Sequence, residues 1–389
     1  MSSYMQMGHD TQNLVGERDL EGFAGIVLSP VNRDPSDLSN DIPRFRDSGD
    51  FEIALDPQLY VPRSNRGSLP KHSYFPSDID TSDLSSISWW QALVKKLAEY
   101  AKGLKIDTIA SPAVLPRTWD DEYYALSVDV GNHLQEQLPG GRTALQTAIL
   151  DLATLGESDS VLRAASIVSG TKCPGCYVVI VCSQEPRREI RDVEGLSGAM
   201  HFVSLLEASG KPVLVAYTSS DMLLYKAAGA SHCGTGKFFN LRRFTESRFG
   251  EESDGGGQLA YWFEHSLLAF LRESDIQLLQ RRGRADLLGH LYSDNDWSKD
   301  ILAVLQDGEG EAWVGRGWRQ FLSWFWKTER DLAAGALAAT SEWLKASEKR
   351  WLELEDDDLL MSDPRNDGGW IRPWRQAVSA YRTRLDESS

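Results

Sequence analysis

Two acidic residues lie in or at the end of apolar runs that we expect to form buried strands, where their side chains could act in catalysis. Asp56 closes the apolar run FEIALD and is followed by Pro57, and Asp151 interrupts the apolar run TAILDL. A carboxylate in such a place can act as a nucleophile or general base once burial or a neighbouring charge tunes its pKa. The structural alternatives are that Asp56 starts a turn and that Asp151 pairs with an arginine. These acids and Tyr217, at the end of another apolar run, are our candidate catalytic residues.

A glycine-rich stretch, GTGK, closes the last predicted strand. Glycines let backbone N–H groups approach an anion closely, and a lysine adds positive charge. Schiff-base chemistry at Lys237 is a further option, and a tight turn without a ligand is the structural alternative. Together with polar residues at other strand ends, this stretch gives the predicted substrate-binding set: Ser29, Asn32, Gln58, Tyr60, Ser111, Ser219, Ser220, Gly234, Thr235, Gly236, Lys237 and Arg242.

Seven short apolar runs alternate with helical patterns and must position these residues. They are Ala24–Ser29, Phe51–Asp56, Ile106–Ser111, Thr147–Leu152, Tyr177–Cys182, Pro212–Tyr217 and Ala230–Thr235. The alternation is typical of parallel βα units. Polar residues after nearly every run favour an α/β (β/α)8 TIM barrel over a doubly wound open sheet, because barrel active sites are built from these loops. The eighth strand has no clear pattern, and the segments 34–51 and 155–173 are where it could lie.

Length and composition set the domain organisation. The chain has 389 residues, 41% of them hydrophobic and 25% charged, as expected for a globular protein with one large domain and a second region. We predict a flexible N-terminal segment over residues 1–23, the barrel over 24–249, a linker over 250–258 and a helical region packed on the barrel over 259–389. No strand is expected in the helical region, which contains ten of the 13 tryptophans.

Charge and cysteine content restrict the partners. The formal net charge of −16 disfavours electrostatic attraction to nucleic acid or to an anionic membrane for the molecule as a whole. No apolar run has the length of a signal peptide or a membrane span, so we expect a cytoplasmic protein without a membrane partner. Cys173 and Cys176 could supply half of a structural zinc site, but no second close pair follows, so we favour an ordinary turn and predict no cofactor.

The segment PVLVAYTSSDMLLYKAAGASHCGTG resembles the last βαβ unit of phosphate-binding TIM barrels. In that unit a strand ending in small residues leads through a helix and an AGA sequence to a strand closed by Gly-Ser or Gly-Thr. The resemblance covers about thirty residues and implies a phosphate site at Ser219, Ser220 and the stretch from Gly234 to Lys237. The first loop is Tyr-Thr-Ser-Ser and not Gly-Gly, so one half of the usual phosphate cradle matches.

The order of elements, with the strand DFEIALDPQ and a helical tail, also resembles the tRNA-guanine transglycosylase group and its DNA-modifying relatives. This resemblance implies a phosphate-bearing substrate, such as a nucleotide or nucleic acid, and glycosidic-bond chemistry in which a base is removed or exchanged. The GGLAVG segment of that group is absent, and its C-x-C-x-x-C zinc pattern is not reproduced. No family aspartate is therefore carried over to this chain.

Basic and aromatic segments leave further alternatives. Three basic sets, Arg187–Arg191, Leu241–Arg248 and Gln280–Arg284, could form a patch for a nucleic-acid substrate. The tryptophans could stack bases, although tryptophans at helical spacing usually pack helices together. A non-catalytic barrel that binds a protein partner through the helical region is one alternative function. A sugar-phosphate lyase or aldolase using Lys237 is another.

Overall fold

Eight parallel strands form a closed barrel, which confirms the predicted TIM-barrel fold. The computed structural model describes residues 3–17, 20–77, 79–250, 259–288, 295–307, 312–332 and 336–387. In ring order the strands are β1 (Tyr4–Gln6), β2 (Gly25–Leu28), β3 (Glu52–Leu55), β4 (Thr108–Ala110), β5 (Thr143–Asp151), β6 (Gly175–Val181), β7 (Val213–Val215) and β8 (His232–Thr235). All seven predicted strands are present, because runs buried on both faces are apolar throughout.

The eighth strand is β1, and it lies inside the N-terminal segment that was predicted to be flexible. Tyr4 pairs with Gly25 on β2 and with Gly234 on β8, so this strand closes the ring. The ring of Tyr4 lies against Gly25, where a Cβ atom would stand 2.2 Å from the Tyr4 ring. The barrel therefore begins at residue 4 and not at residue 24. The segments 34–51 and 155–173 contribute no strand in the part of the chain that the structure describes.

Helices surround the barrel between successive strands. They are α1 (Pro35–Ser48), α2 (Ile87–Leu104), α3 (Asp121–Gln137), α4 (Ser158–Ser169), α5 (Val193–Ala208) and α6 (Met222–Ala227). Aspartates start two of them: Asp120 accepts a hydrogen bond from the backbone N–H of Tyr123, and Asp192 accepts one from Gly195. Such N-caps satisfy backbone donors that the first turn of a helix leaves free.

The C-terminal region contains five helices and a small sheet. Its helices are α7 (Glu273–Arg281), α8 (Asp296–Asp307), α9 (Val314–Asp331), α10 (Leu337–Asp356) and α11 (Ile371–Glu387). A two-stranded antiparallel sheet, β9 (Trp262–Glu264) with β10 (Ala269–Leu271), corrects the expectation of no strands here. The runs are three residues each, too short for a readable alternation. Most of the predicted linker, residues 251–258, lies outside the described residues.

The C-terminal helices pack on the barrel helices through their tryptophans. Helix α11 packs on α5, where the indole N–H of Trp374 donates to the carbonyl oxygen of Ile190. Helix α10 packs on α6, and the indole N–H groups of Trp343 and Trp351 donate to the loop between β9 and β10. The tryptophans therefore serve mainly as packing residues, each with its polar edge satisfied in these three cases.

Helix α9 reaches the amino-terminal end of the barrel through Glu329. The Glu329 carboxylate lies 3.3 Å from the ammonium group of Lys226, and both side chains are fully buried. It also accepts hydrogen bonds from the hydroxyl of Ser3 and from the backbone N–H of Cys233. The Lys226 ammonium donates in turn to the carbonyl oxygens of Ala230 and Ser231. This ion pair ties α9 to the segments that precede β1 and β8.

Among the described residues, no helix combines the length and the apolar character needed to cross a bilayer.

Candidate active site

Three tyrosine hydroxyls converge on one oxygen of Asp56 at the carboxyl end of the barrel. Tyr60, Tyr217 and Tyr177 donate to Oδ2 over 2.9, 3.0 and 3.3 Å. The other oxygen, Oδ1, accepts the backbone N–H of Gln58 at 3.0 Å. Tyr217 follows β7, which lies across the ring from β3 and Asp56. The structure therefore brings two of the three predicted catalytic residues, Asp56 and Tyr217, into direct contact.

Two residues of this centre have strained backbones. Gln58 and Tyr217 both have φ of 56°, in the left-handed region that side chains other than glycine rarely adopt. Each such residue costs on the order of 1 kcal/mol and persists only where the surroundings enforce it. The strain turns the Gln58 N–H toward Asp56 and keeps the Tyr217 phenol over the same carboxylate. Strain of this kind is concentrated at functional sites.

Gln6 on β1 links two of the tyrosines from below. Its amide nitrogen donates to the hydroxyl of Tyr177 at 3.1 Å, and its amide oxygen accepts the backbone N–H of Tyr217 at 2.6 Å. Gln58 is fixed in the same way, because its side-chain oxygen accepts the N–H of Val31 at 2.9 Å. These side-chain amides leave the phenols little freedom to turn away from Asp56.

Arg248 covers the centre. Its Nη2 donates to Ser29 and to Asn32 over 2.9 Å each, and its Cζ stands 5.9 Å from the centre of the Tyr217 ring. Phe244 and Phe249 complete the cover, and both pack against the ring of Tyr60. The Asp56 side chain is buried as a result, with 2% of its surface exposed.

Burial dominates the proton affinity of the centre. It raises the pKa of the Asp56 carboxyl, while the hydrogen bonds from Gln58, Tyr60 and Tyr217 and the charge of Arg248 oppose that rise. Burial and the nearby Asp56 carboxylate raise the pKa of the Tyr60, Tyr177 and Tyr217 phenols. The phenols therefore stay protonated and can donate. The raised pKa of the Asp56 carboxyl lies closer to neutral pH, and a group whose pKa is near the working pH transfers protons most effectively.

A cavity of about 850 Å³ opens beside Arg248. Residues that follow β8 line it together with Trp318 of α9, Tyr261 and Phe270, and the rings of Phe238 and Phe239 pack against these three. Cations line it: Arg66, Arg187, Lys237, Arg242, Arg248 and Arg365. Glu185, the one acid among the lining residues, is bound by Arg365 at 2.6 Å. In a chain with a net charge of −16, this cavity is a concentrated positive region.

The predicted substrate-binding residues divide between these two places and others. Ser29, Gln58 and Tyr60 belong to the centre, and Lys237 and Arg242 line the cavity. Asn32 belongs to both, since it contacts Arg248 and lines the cavity.

Ser111 and Asp151 lie at strand ends but make local contacts. The Ser111 hydroxyl accepts the N–H of Thr147 at 2.9 Å and so joins β4 to β5. Asp151 accepts the N–H of Thr154 at 3.3 Å and is partly exposed, so it ends its strand as a turn-starting acid. Neither residue lines the cavity or contacts Asp56, and the catalytic role predicted for Asp151 stays a prediction.

The two halves of the predicted phosphate cradle are engaged internally. At the end of β7 the N–H of Ser219 donates to the Asp221 carboxylate at 2.7 Å, and the Ser220 hydroxyl lies 3.5 Å from Glu189. At the end of β8 the Thr235 hydroxyl donates to the carbonyl oxygen of Thr218 at 2.7 Å. Gly234 pairs with Tyr4, and Gly236 is packed under Leu241. Of this stretch, Lys237 is the residue that reaches the cavity.

The cysteine turn has no metal-binding geometry in the described part of the chain. Cys173 and Cys176 are buried with free thiols, and burial raises the pKa of both. No group of three or more His, Cys, Asp or Glu residues is placed to hold a metal ion among the residues described.

Tyr177, Gln6 and Arg248 are the site residues that the sequence did not single out individually. Tyr177 begins a predicted strand and was not at a strand end, and Gln6 lies on the strand that was missed. Arg187 and Arg248 belong to two of the predicted basic sets, and both line the cavity. The third set does not join them, since Arg284 pairs with Glu353 on α10 at 3.0 Å.

Comparison with known proteins finds weak structural likenesses and no sequence match. No protein-family model and no characterised protein matches the sequence. A mandelate racemase/muconate lactonizing enzyme from a marine actinobacterium matches with 10% identity and a TM-score of 0.32, covering 60% of this chain and 54% of that one. L-ribulose 3-epimerase matches with 12% identity and a TM-score of 0.35, covering 66% of this chain and 89% of the epimerase.

The carboxyl transferase domain of Rhizobium etli pyruvate carboxylase is similar at 11% identity and a TM-score of 0.35, over 97% of this chain and 60% of that one. Of the mandelate racemase/muconate lactonizing enzyme, this chain covers about half the length. None of these likenesses supports the expected resemblance to transglycosylases, and at such scores none carries an argument about substrate or reaction. The function of this TIM barrel has to be argued from its own site.

Proposed function

We propose that the protein is a barrel enzyme that holds a phosphate-bearing substrate in the cationic cavity and uses Asp56 to exchange a proton with it. One observation carries the proposal: three phenols point at a single buried carboxylate oxygen, and a guanidinium that opens to the cavity lies above it. A stable core alone does not need such a set, because each buried polar group costs free energy unless it is satisfied.

The division of labour follows from the chemistry of the groups. Asp56 accepts or returns the proton, since its carboxyl combines burial with several donors that stabilise the charged form. Tyr217 and Tyr60 donate hydrogen bonds that hold the carboxylate in one orientation. The cavity cations bind the phosphate of the substrate, and this binding positions the reacting part beside Asp56.

Substrate can reach Asp56 only after its cover moves. Asp56 is buried; Phe244 and Phe249 pack against Tyr60, which donates to its carboxylate, and Arg248 lines the cavity. Phe244, Arg248 and Phe249 belong to one short segment, residues 244–249, which carries a single turn of helix. We expect phosphate binding to draw Arg248 toward the cavity and to uncover Asp56, because the Arg248 guanidinium has no carboxylate partner among the described residues to hold it in place.

Proton transfer fits the centre better than the glycosidic-bond chemistry implied by resemblance. Glycosidases typically place two carboxyl groups on either side of the scissile bond. In the described residues Asp56 is the acid at the centre, and its near neighbours are phenols and amides. Imine chemistry at Lys237 is also less well supported. Its ammonium group lies 4.7 and 4.6 Å from the ring centres of Phe238 and Trp318, and these ring faces stabilise the charged form against burial, which lowers the pKa of Lys237.

The test is turnover of a panel of sugar phosphates, nucleotides and phosphorylated acids, followed by mass spectrometry. We expect the wild type to convert a member of the panel, and Asp56→Asn to lose about 100-fold or more in rate. Phosphate should still raise the melting temperature of Asp56→Asn, because the cavity is intact.

Tyr74→Phe is the matched control. It also removes a buried phenol, but the Tyr74 hydroxyl donates to the carbonyl oxygen of Pro57 and not to Asp56. We expect its rate to stay near that of the wild type, and Tyr217→Phe to be clearly slower. Wild-type rates in Asp56→Asn, or a wild type that converts nothing and is not stabilised by phosphate, would contradict the proposal.

A further inference from the structure

Four cations of the cavity have no carboxylate in contact among the residues that the structure describes. They are Arg187, Lys237, Arg242 and Arg248. Lys237, Arg242 and Arg248 are buried, and a buried charge without a counter-charge is costly. The protein keeps several such charges in one place, which a ligand of opposite charge would explain.

Aromatic rings hold three of these cations where carboxylates normally would. The Arg242 guanidinium lies 3.8 Å from the centre of the Phe321 ring. Arg187 lies 5.7 Å from the centre of the Phe239 ring, and Lys237 lies between Phe238 and Trp318. A ring face attracts a cation without neutralising it. These side chains are therefore fixed in position while their full positive charge stays available to a ligand.

Arg248 provides the second, inner part of the same site. Its Nη2 is bound to Ser29 and Asn32, whereas its Nη1 is buried and has no hydrogen-bond partner. An N–H group left unsatisfied in a buried position is rare in proteins. Because Arg248 also lines the cavity, this free donor can be satisfied by an anionic oxygen there.

Arg243, the neighbour of Arg242 in sequence, shows how a buried arginine forms an ion pair in this protein. Arg242 and Arg243 are adjacent in sequence, and each is 3% exposed. Arg243 forms an ion pair with Glu189 at 2.9 Å and does not line the cavity. Arg242 instead donates to the carbonyl oxygens of Gly236 and Lys237 at 2.9 and 3.0 Å and has no carboxylate in contact among the described residues; Glu189 acts on its charge only through space.

We propose that the cavity binds a small molecule carrying two or more linked phosphate groups. A single phosphate brings at most about two negative charges near pH 7, fewer than the four cations that have no carboxylate in contact among the described residues. A linked pair of phosphates brings more charge and more acceptor oxygens to a cavity that Arg248, Arg242 and Lys237 line together. Burial of Lys237, Arg242 and Arg248 favours a small ligand over a nucleic-acid strand, which needs an exposed track of charge. The inference rests on the proposed function, from which it takes the phosphate-bearing class.

The experiment is isothermal titration calorimetry of the full chain with inorganic phosphate, pyrophosphate and tripolyphosphate in a phosphate-free buffer. Pyrophosphate is expected to bind at least about tenfold more tightly than phosphate, since each added charge-assisted hydrogen bond contributes that order of affinity. Arg242→Gln and Lys237→Gln should each weaken pyrophosphate about tenfold or more. Arg243→Gln, which changes the paired neighbour, should bind pyrophosphate as the wild type does.

The outcomes separate this inference from the proposed function. Equal affinity for phosphate and pyrophosphate would overturn the diphosphate class and leave a single-phosphate enzyme standing. Displacement of pyrophosphate by an oligonucleotide without terminal phosphates would assign the cavity to nucleic acid and overturn the small-ligand class. Failure of every anion to bind would contradict both this inference and the proposed function. Circular dichroism identifies any variant that does not fold, and Arg242→Lys, which keeps the charge, then replaces Arg242→Gln.

Discussion

The two ends of the barrel treat buried charge in opposite ways. At the amino-terminal end, Lys226 and Glu329 neutralise each other, and hydrogen bonds satisfy the remaining donors and acceptors. At the carboxyl end, Arg242 and Arg248 are buried without a carboxylate in contact among the described residues. The first arrangement joins the helical region to the barrel. In the second arrangement no carboxylate in contact offsets the free-energy cost of burying the charges, as expected where a ligand supplies the missing partner.

The comparison sets a stabilising site against the proposed binding site within one fold. Both places bury cations against backbone carbonyl oxygens, and both receive residues from α9, through Glu329 at one end and Trp318 at the other. What differs is the counter-charge. In parallel barrels the amino-terminal face serves stability and the carboxyl face serves function, and the placement of paired and unpaired charge follows that division.

Breaking the paired end should give the largest effect. Glu329→Gln leaves the Lys226 ammonium fully buried without a carboxylate, and we expect the free energy of unfolding to fall by about 3–5 kcal/mol. Urea denaturation followed by circular dichroism measures this loss. The double variant Lys226→Met with Glu329→Gln removes both charges and keeps an acceptor for the Cys233 N–H. It should recover most of the stability, and a double variant as unstable as the single one would contradict the pairing argument.

The unpaired end should respond in the opposite direction. Arg242→Met keeps the packing against Phe321 and removes a buried charge, so we expect the free energy of unfolding without ligand to stay within about 1 kcal/mol of the wild type or to rise. The neighbouring Arg243→Met should lose about 2 kcal/mol, since Glu189 is left without its partner. A large loss in Arg242→Met alone would show that Arg242 stabilises the fold.

Glu264, a third buried acid, sharpens the comparison through pH. It has hydrogen bonds but no arginine or lysine in contact among the described residues, and Nδ1 of His265 lies 3.9 Å from its carboxylate. Burial raises the pKa of the Glu264 carboxyl to about 7, against the opposing hydrogen bonds from Ser266 and Trp262. The folded state therefore binds more protons than the unfolded state between about pH 4.5 and 7, and stability falls as pH rises through this window.

The variant Glu264→Gln tests this linkage. It should be more stable than the wild type by about 3 kcal/mol at pH 8 and should lose the slope between pH 5 and 7, an expectation based on 1.36 kcal/mol per pKa unit over the rise from 4.5 to about 7. Near pH 4 the two proteins should have similar stability. A difference that is constant across pH would mean that packing, and not ionisation, distinguishes them.

Much of the fold was predictable because burial on both faces makes barrel strands apolar throughout. The seven strands from β2 to β8 were found on that basis. Strand β1 escaped because it has three residues, one of them the polar Gln6, and its burial depends on partners far along the chain. The β9–β10 sheet escaped for a similar reason, as runs of three residues show no periodicity.

The site was predictable where it follows strand ends and not elsewhere. Asp56, Gln58 and Tyr217 come directly after β3 or β7, and the rule that barrel sites lie there located them. Tyr177 lies within a strand whose faces are both apolar, so nothing in the local pattern shows which side chains point into the barrel. The pairing state of Arg242 and Arg243 is set by Glu189, more than fifty residues earlier in the chain, and adjacent arginines look alike in the sequence.

Closure of the ring by Tyr4–Gln6 has a consequence for how the chain folds. Strand β1 pairs with β8, which is synthesised some 230 residues after it. The chain segment between these two strands, nearly the whole barrel, must therefore be closed into a loop before they can pair. During synthesis the first strand has to wait for the last, and contacts of such long range slow folding. Because Gln6 also holds Tyr177 and Tyr217, the hydrogen-bonded centre around Asp56 should assemble only in that final step.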